Sequence, residues 1–243
     1  MPDSTRWLRS SGMIKAVIFD LDDTLINESK FAMSAFKEIS YEISKSIAKD
    51  ANQIYELITN IYTRNPQNVF NQLYDLLGVE LSESTLNNLI KRYREHRPKN
   101  YALDETTKQQ LKKLKHNQIL LGIITDGYQV SQKNKIKAAK LPKIFDNIII
   151  TDELGKEYWK PHSKSFDMMR EKFDVAFDEM VYVGDNLKKD SLAPKKLGMN
   201  FIYYQNLDSD AVYKNADNND LDGIDYVTSK NELFDLLVRM INI

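Results

Sequence analysis

The stretch Ile14-Lys15-Ala16-Val17-Ile18-Phe19-Asp20-Leu21-Asp22-Asp23-Thr24-Leu25 decides how the rest of the chain is read. Its first half is apolar apart from Lys15, the pattern of a strand buried on both faces, as in a parallel sheet. It then breaks into three carboxylates and a hydroxyl. Side chains alternate along an extended chain, which puts Asp20 and Asp22 on one side and Leu21 and Asp23 on the other. Two carboxylates held close at a strand end repel each other unless a cation stands between them. Such a pair suits Mg²⁺, a hard ion that takes one or two carboxylates together with substrate phosphate.

Three more strand ends downstream carry polar residues in the same way. Ile119 to Ile124 runs into Thr125-Asp126-Gly127, followed by a helix from near Tyr128. Backbone N–H groups at such a turn can receive an anion, and the Thr125 hydroxyl can donate to a phosphate oxygen. A third strand around residues 147–151 precedes Lys160-Pro161 and a helix from Ser163 to Phe173. Pro161 biases Lys160 toward an extended backbone, which aims its ammonium into a site where it can neutralise phosphoryl charge. Met180 to Val183 is another buried strand, ending in Gly184-Asp185 with Asp190 in the turn beyond. Asp185 can reach a metal directly. Asp190 either supports that metal through water or holds Lys160 in place. Residues 200–204 give a fifth strand, 225–228 a short edge strand, and 231–240 a closing helix.

Between the first strand and the second the pattern changes to helical spacing. Phe31, Ala35, Ile39, Ile43 and Ile47 form one stripe, with Ser29 as its N-cap. Ile54, Leu57, Ile58 and Ile61 form a second. Val69, Leu73, Leu76 and Leu77 form a third, closed by Gly78, and Leu86, Leu89, Ile90 and Tyr93 a fourth that stops before Pro98. Arg64, Arg92, Arg94 and Arg97 lie in this block and could meet an anionic or sugar-like leaving group, whereas His96 is read as a surface residue. The expected organisation is therefore a core of residues 13–27 and 98–243, an all-helical block at 28–97, and a leader at 1–12 outside the fold.

The four strand ends, in this order, resemble the four motifs of the haloacid dehalogenase superfamily in its phosphatase branch, and the helical block resembles that family's type one cap. The resemblance covers the chain from about Met13 onward. It implies an α/β fold, a Rossmann-like doubly wound parallel sheet with an inserted helical cap over the site. It implies Asp20 as the nucleophile that becomes an aspartyl-phosphate and Asp22 as general acid and base. Thr125, Asp126, Gly127 and Lys160 would bind phosphate; Asp20, Asp22 and Asp185 would hold Mg²⁺; Asp190 would support them. The implied activity is Mg²⁺-dependent hydrolysis of a small phosphomonoester, sugar phosphate or nucleotide-like. A phosphomutase shares every motif and remains the enzymatic alternative. A non-catalytic binding module is the alternative from another class, and the full set of site residues speaks against it. Dehalogenases of the superfamily lack a second acid two positions after the nucleophile, so Asp22 argues against carbon–halogen chemistry.

Composition narrows the setting. The chain has 243 residues, and 42% hydrophobic content is ample for a core of that size. Its net charge of −1 gives no field to attract nucleic acid, so none is expected as a partner. The absence of cysteine rules out disulfides and thiolate chemistry and agrees with a reducing, cytoplasmic setting. No apolar run approaches the ~20 residues needed to span a bilayer, so no membrane partner is expected. The run of Asn and Asp between Gln205 and Gly223 lacks the spacing of a calcium loop and is expected to be an acidic surface loop.

Overall fold

A computed structural model describes residues 13–205 and 223–243. The expected leader, and the expected acidic loop apart from its two ends, lie outside the described residues. Strand β1 (Ala16–Phe19) is the centre of a six-stranded sheet with the order β3-β2-β1-β4-β5-β6. The others are β2 (Leu120–Thr125), β3 (Asn147–Ile150), β4 (Met180–Gly184), β5 (Asn200–Tyr204) and β6 (Asp225–Val227). Every neighbouring pair is parallel. Strand order reverses direction at β1, so the crevice between β1 and its neighbours, at their carboxyl ends, is where a ligand meets such a sheet.

The alternation along β1 explains the layers. Val17 and Phe19 point into one core with Leu111 and Leu114 of α5 (Glu105–His116), Ile136 of α6 (Gln129–Ala138), and Leu233, Phe234 and Leu237 of α10 (Lys230–Ile241). Ala16 and Ile18 point the other way, into a core with Phe166 and Met169 of α7 (Lys164–Phe173). Both faces of the strand are buried, which is why its sequence shows an apolar run where a one-sided strand would alternate.

The inserted block folds as four helices: α1 (Glu28–Ile47), α2 (Ala51–Arg64), α3 (Val69–Leu77) and α4 (Glu83–Glu95). Phe36, Ile39, Ile43, Ile54, Ile58 and Leu73 belong to a separate apolar cluster of their own. Gly78 closes α3 in the left-handed conformation, as its position predicts. The N-cap of α1 is Asn27 rather than the expected Ser29: its Oδ1 accepts from the Ser29 backbone N–H at 2.9 Å and from the Ser29 hydroxyl at 2.7 Å. The Tyr101 hydroxyl donates to the Asn27 carbonyl at 3.2 Å, so the two connections between core and helical block lie side by side.

Candidate active site

Beyond Phe19 the backbone leaves the extended conformation. The N–H groups of Leu25 and Ile26 both donate to the Leu21 carbonyl, and Asp23 takes a positive φ of 55°. The two carboxylates of this turn go to different partners. Asp20 Oδ1 accepts from Lys160 Nζ at 2.6 Å. Asp22 is gripped elsewhere: Lys135 Nζ lies 2.7 and 2.8 Å from its two oxygens, and Gln132 Nε2 donates to Oδ2 at 2.8 Å.

Lys160, with 6% of its surface exposed, is the hub of the first group. Besides Asp20 it donates to Asp190 Oδ1 at 2.7 Å and to the Tyr182 hydroxyl at 3.0 Å. Of the two roles open to Asp190, the structure places it against Lys160; its other oxygen accepts from the Asn186 N–H at 2.9 Å. Burial alone would lower the Lys160 pKa, but Asp190 and Asp20 outweigh it and hold the ammonium well above the usual lysine value. Asp20 is pushed up to about 7 by burial, with Lys160 opposing the rise. Asp185 is also driven well up, by burial first and then by the charges of Asp20 and Asp190.

This packing leaves no room at the end of β4. A Cβ on Gly184 would stand 2.5 Å from Asp190 Oδ2 and 2.7 Å from its Cβ. Gly184→Ala is expected to displace Asp190 from Lys160 and to lower activity by at least about tenfold, a 1 Å misplacement being worth that much and more. Unchanged kcat/KM in that variant would show that the Asp190 contact is dispensable.

Thr125 ends β2 with its side chain buried, its Oγ1 accepting from Gln132 Nε2 at 2.6 Å. Asp126 Oδ1 accepts from the Thr151 hydroxyl at 2.7 Å and the Lys160 backbone N–H at 3.1 Å, which ties the turn after β2 to the Lys-Pro segment. Gly127 has φ 118°, where a side chain would be strained.

Gln132 and Lys135, which the sequence reading passed over, stand three positions apart on one face of α6 and tie Asp22 to Thr125 and toward Glu28 (3.5 Å). Tyr182 was read only as part of an apolar strand. Among the described residues no three His, Asp or Glu side chains stand close enough together to hold a metal, so the three-carboxylate set of Asp20, Asp22 and Asp185 is not assembled. Asp22 is held instead by Lys135 and Gln132.

The expected basic cluster is dispersed. Arg92 pairs with Glu42, and Arg64 and Arg97 are exposed. Arg94 alone of the four borders the cavity beside Asp22, its guanidinium 3.4 Å from the centroid of the Tyr128 ring. The reading of His96 as a surface residue is corrected. It is buried against the Phe31 ring, with Nε2 2.9 Å from the Ser34 hydroxyl and Nδ1 3.1 Å from Glu38 Oε2, because the chain turns back onto α1 where α4 ends.

Residues 17–204 match the model of the haloacid dehalogenase-like hydrolase family. The chain belongs to that family. Among curated haloacid dehalogenase-like relatives, glyceraldehyde 3-phosphate phosphatase from Pyrococcus furiosus is 31% identical over 199 residues, covering 79% of this chain and 81% of the relative. Solved structures share the fold. A haloacid dehalogenase phosphatase from Thermococcus onnurineus superposes with a TM-score of 0.59 at 24% identity, covering 92% of this chain and 98% of that one. YfnB from Bacillus subtilis, bound to magnesium, gives a TM-score of 0.65 at 17% identity, covering 96% and 100%. No described helix is long and apolar enough to cross a membrane.

Proposed function

We propose that this haloacid dehalogenase-like hydrolase is a Mg²⁺-dependent phosphatase of small phosphomonoesters, working through an aspartyl-phosphate on Asp20. The observation that carries the proposal is the buried Asp20–Lys160–Asp190 arrangement at the switch point of the sheet. The name of the Pyrococcus relative points to the same class of substrate. A phosphate dianion approaching Asp20 is repelled, and the Lys160 ammonium, the Thr125 hydroxyl and the turn at Asp126 and Gly127 are placed to offset that repulsion. Asp20 attacks phosphorus, the bond to the departing oxygen breaks, and Asp22, entering the step in its acid form, gives that oxygen its proton and is left as the carboxylate. Water, deprotonated by Asp22, then cleaves the aspartyl-phosphate. Gln132 and Lys135 orient Asp22 for both steps.

The donor chemistry fits a hard divalent ion. Asp20 and Asp185 are carboxylates whose charges oppose one another, and two carboxylates with substrate oxygens and water make a suitable Mg²⁺ set. Asp22 keeps its side chain for proton transfer. Bound there, the ion would supply positive charge against the phosphoryl oxygens.

Phosphate release from a panel of phosphomonoesters, with Mg²⁺ and with EDTA, tests the proposal; no release from any of them would end it. Asp185→Ala is expected to raise the Mg²⁺ concentration needed for half-maximal activity by ~10-fold or more, and an unchanged requirement would remove Asp185 from the ligand set. Asp22→Ala is expected to slow alkyl phosphates by ~10²–10⁴-fold and to spare the first step on an activated aryl phosphate, whose phenolate leaves with little help. Rapid quench should then show a burst of phenolate followed by slow phosphate release. Equal losses on both ester types with no burst would take the proton-transfer role from Asp22.

A further inference from the structure

Next to Asp22 the core and the inserted helices enclose a cavity of about 430 Å³, within the size range of small-molecule sites. Its walls are unlike the site itself. The core side presents Asp22, Gln132 and Lys135. The side made by the inserted helices presents Phe36, Tyr62, Phe70, Leu86, Ile90 and Tyr93, with Asn68, Asn71 and Arg94 as its polar members. The rings form one cluster: Phe36 stacks on Tyr93 at 5.5 Å and meets Tyr62 and Phe70 edge-on at 5.4 and 6.4 Å.

We propose that the phosphomonoester this site takes has a leaving alcohol bearing a flat, predominantly apolar ring, which occupies this cavity. The inference rests on the phosphatase reading and specifies its substrate class. Asp20 does not line the cavity and Asp22 does, so the ester oxygen that Asp22 protonates lies at the cavity mouth and whatever is attached to that oxygen extends inward. As Asp20 forms its bond to phosphorus, the ester P–O bond breaks and the ring leaves as the neutral alcohol. Aromatic walls favour such a group by edge and face contacts. A polyhydroxy group could pair some of its hydroxyls with Asn68, Asn71 and Arg94 but would set the rest against Phe36, Phe70, Leu86 and Ile90, which offer no hydrogen bond, and unpaired buried hydroxyls are penalised. A triose phosphate would leave most of the apolar wall uncovered. The preference of this chain therefore differs from the substrate in the name of its Pyrococcus relative.

The test compares kcat/KM of the purified protein with Mg²⁺ for 2-phenylethyl phosphate and for glyceraldehyde 3-phosphate, both esters of primary alcohols. The expected result is a preference of roughly 100-fold for the phenylethyl ester, the order set by a few apolar contacts. Ile90→Trp fills the cavity from α4 and is expected to reduce that ratio about tenfold; Leu86→Trp, one turn earlier, is the second variant should the first not fold. The ratio is independent of how much active protein each preparation contains. Equal or better turnover of glyceraldehyde 3-phosphate would overturn the ring and leave the phosphatase standing, as would a preference that survives both substitutions. Phosphate release from neither ester, nor from acetyl phosphate, would overturn the phosphatase reading and the ring with it.

Discussion

Asp20→Asn protein is expected to bind a phosphomonoester and release no phosphate from it, with kcat lowered by roughly 10⁵-fold or more, the scale on which removal of a nucleophile acts. Asn has the shape of Asp, and its amide oxygen can still accept from Lys160, so the strand end keeps its packing. What it loses is the anionic oxygen that forms the bond to phosphorus in the proposed mechanism. Lys160 keeps one carboxylate partner, Asp190 at 2.7 Å, so the fold is expected to persist, with an unchanged circular dichroism spectrum and cooperative unfolding. Titration calorimetry with a phosphomonoester should show binding without turnover. Residual turnover of a few per cent in protein shown by mass spectrometry to carry Asn at position 20 would falsify the assignment.

Lys160→Met is expected to be the more damaging substitution for the fold. It removes the cation that bridges Asp20 and Asp190 and leaves two carboxylates almost fully buried, 6% and 1% exposed, without that counter-charge. Breaking a buried ion pair from one side costs about 3–5 kcal/mol. Urea unfolding at neutral pH and without added metal should register a loss of that order, and turnover should fall by ~10³-fold, as for loss of a positioned charge at a developing anion. Asp190→Asn is the milder companion: it keeps an acceptor for Lys160 and leaves the Asp20 pair intact, so its stability loss should be smaller. Equal stability of the Lys160→Met and wild-type proteins would mean that the cation contributes nothing to the folded state, and with it the argument that Asp20 depends on Lys160 would fall.

Residues whose role is written locally were legible in the sequence. Ala16 to Phe19, Leu120 to Thr125 and Met180 to Gly184 announce buried strands by their apolar runs, and each run stops at or beside a residue of the proposed site. The four helices from Glu28 to Glu95 follow from stripes at helical spacing. Residues whose role depends on a distant partner were not. Gln132 and Lys135 lie in a helix rich in lysine, where a cation reads as solvated; only the fold brings them to Asp22, more than a hundred positions earlier. Tyr182 sits among apolar neighbours, so its hydroxyl gave no sign of meeting Lys160. His96 is buried because a turn folds it back, and the spacing of α4 carries no trace of that turn. The separate partners of Asp20 and Asp22 were hidden in the same way, since Lys160 and Lys135 both come from far along the chain.

The position of β1 in the sheet has a consequence for the order in which the molecule can assemble. Ala16 pairs with Leu120 on one side and with Met180 on the other, so this strand is flanked by strands made far later. Contacts that distant are slow to form because a long loop must close before they reward the chain. The helices from Glu28 to Glu95 have no such wait, since α1 meets α2 and α2 meets α3 within a short span. The inserted helices should therefore gather first, while β1 stays an unpaired apolar segment. The Asp20–Lys160–Asp190 cluster is then among the last features to form, and a nascent chain ending short of Asp190 should be unable to capture a phosphate ester at all.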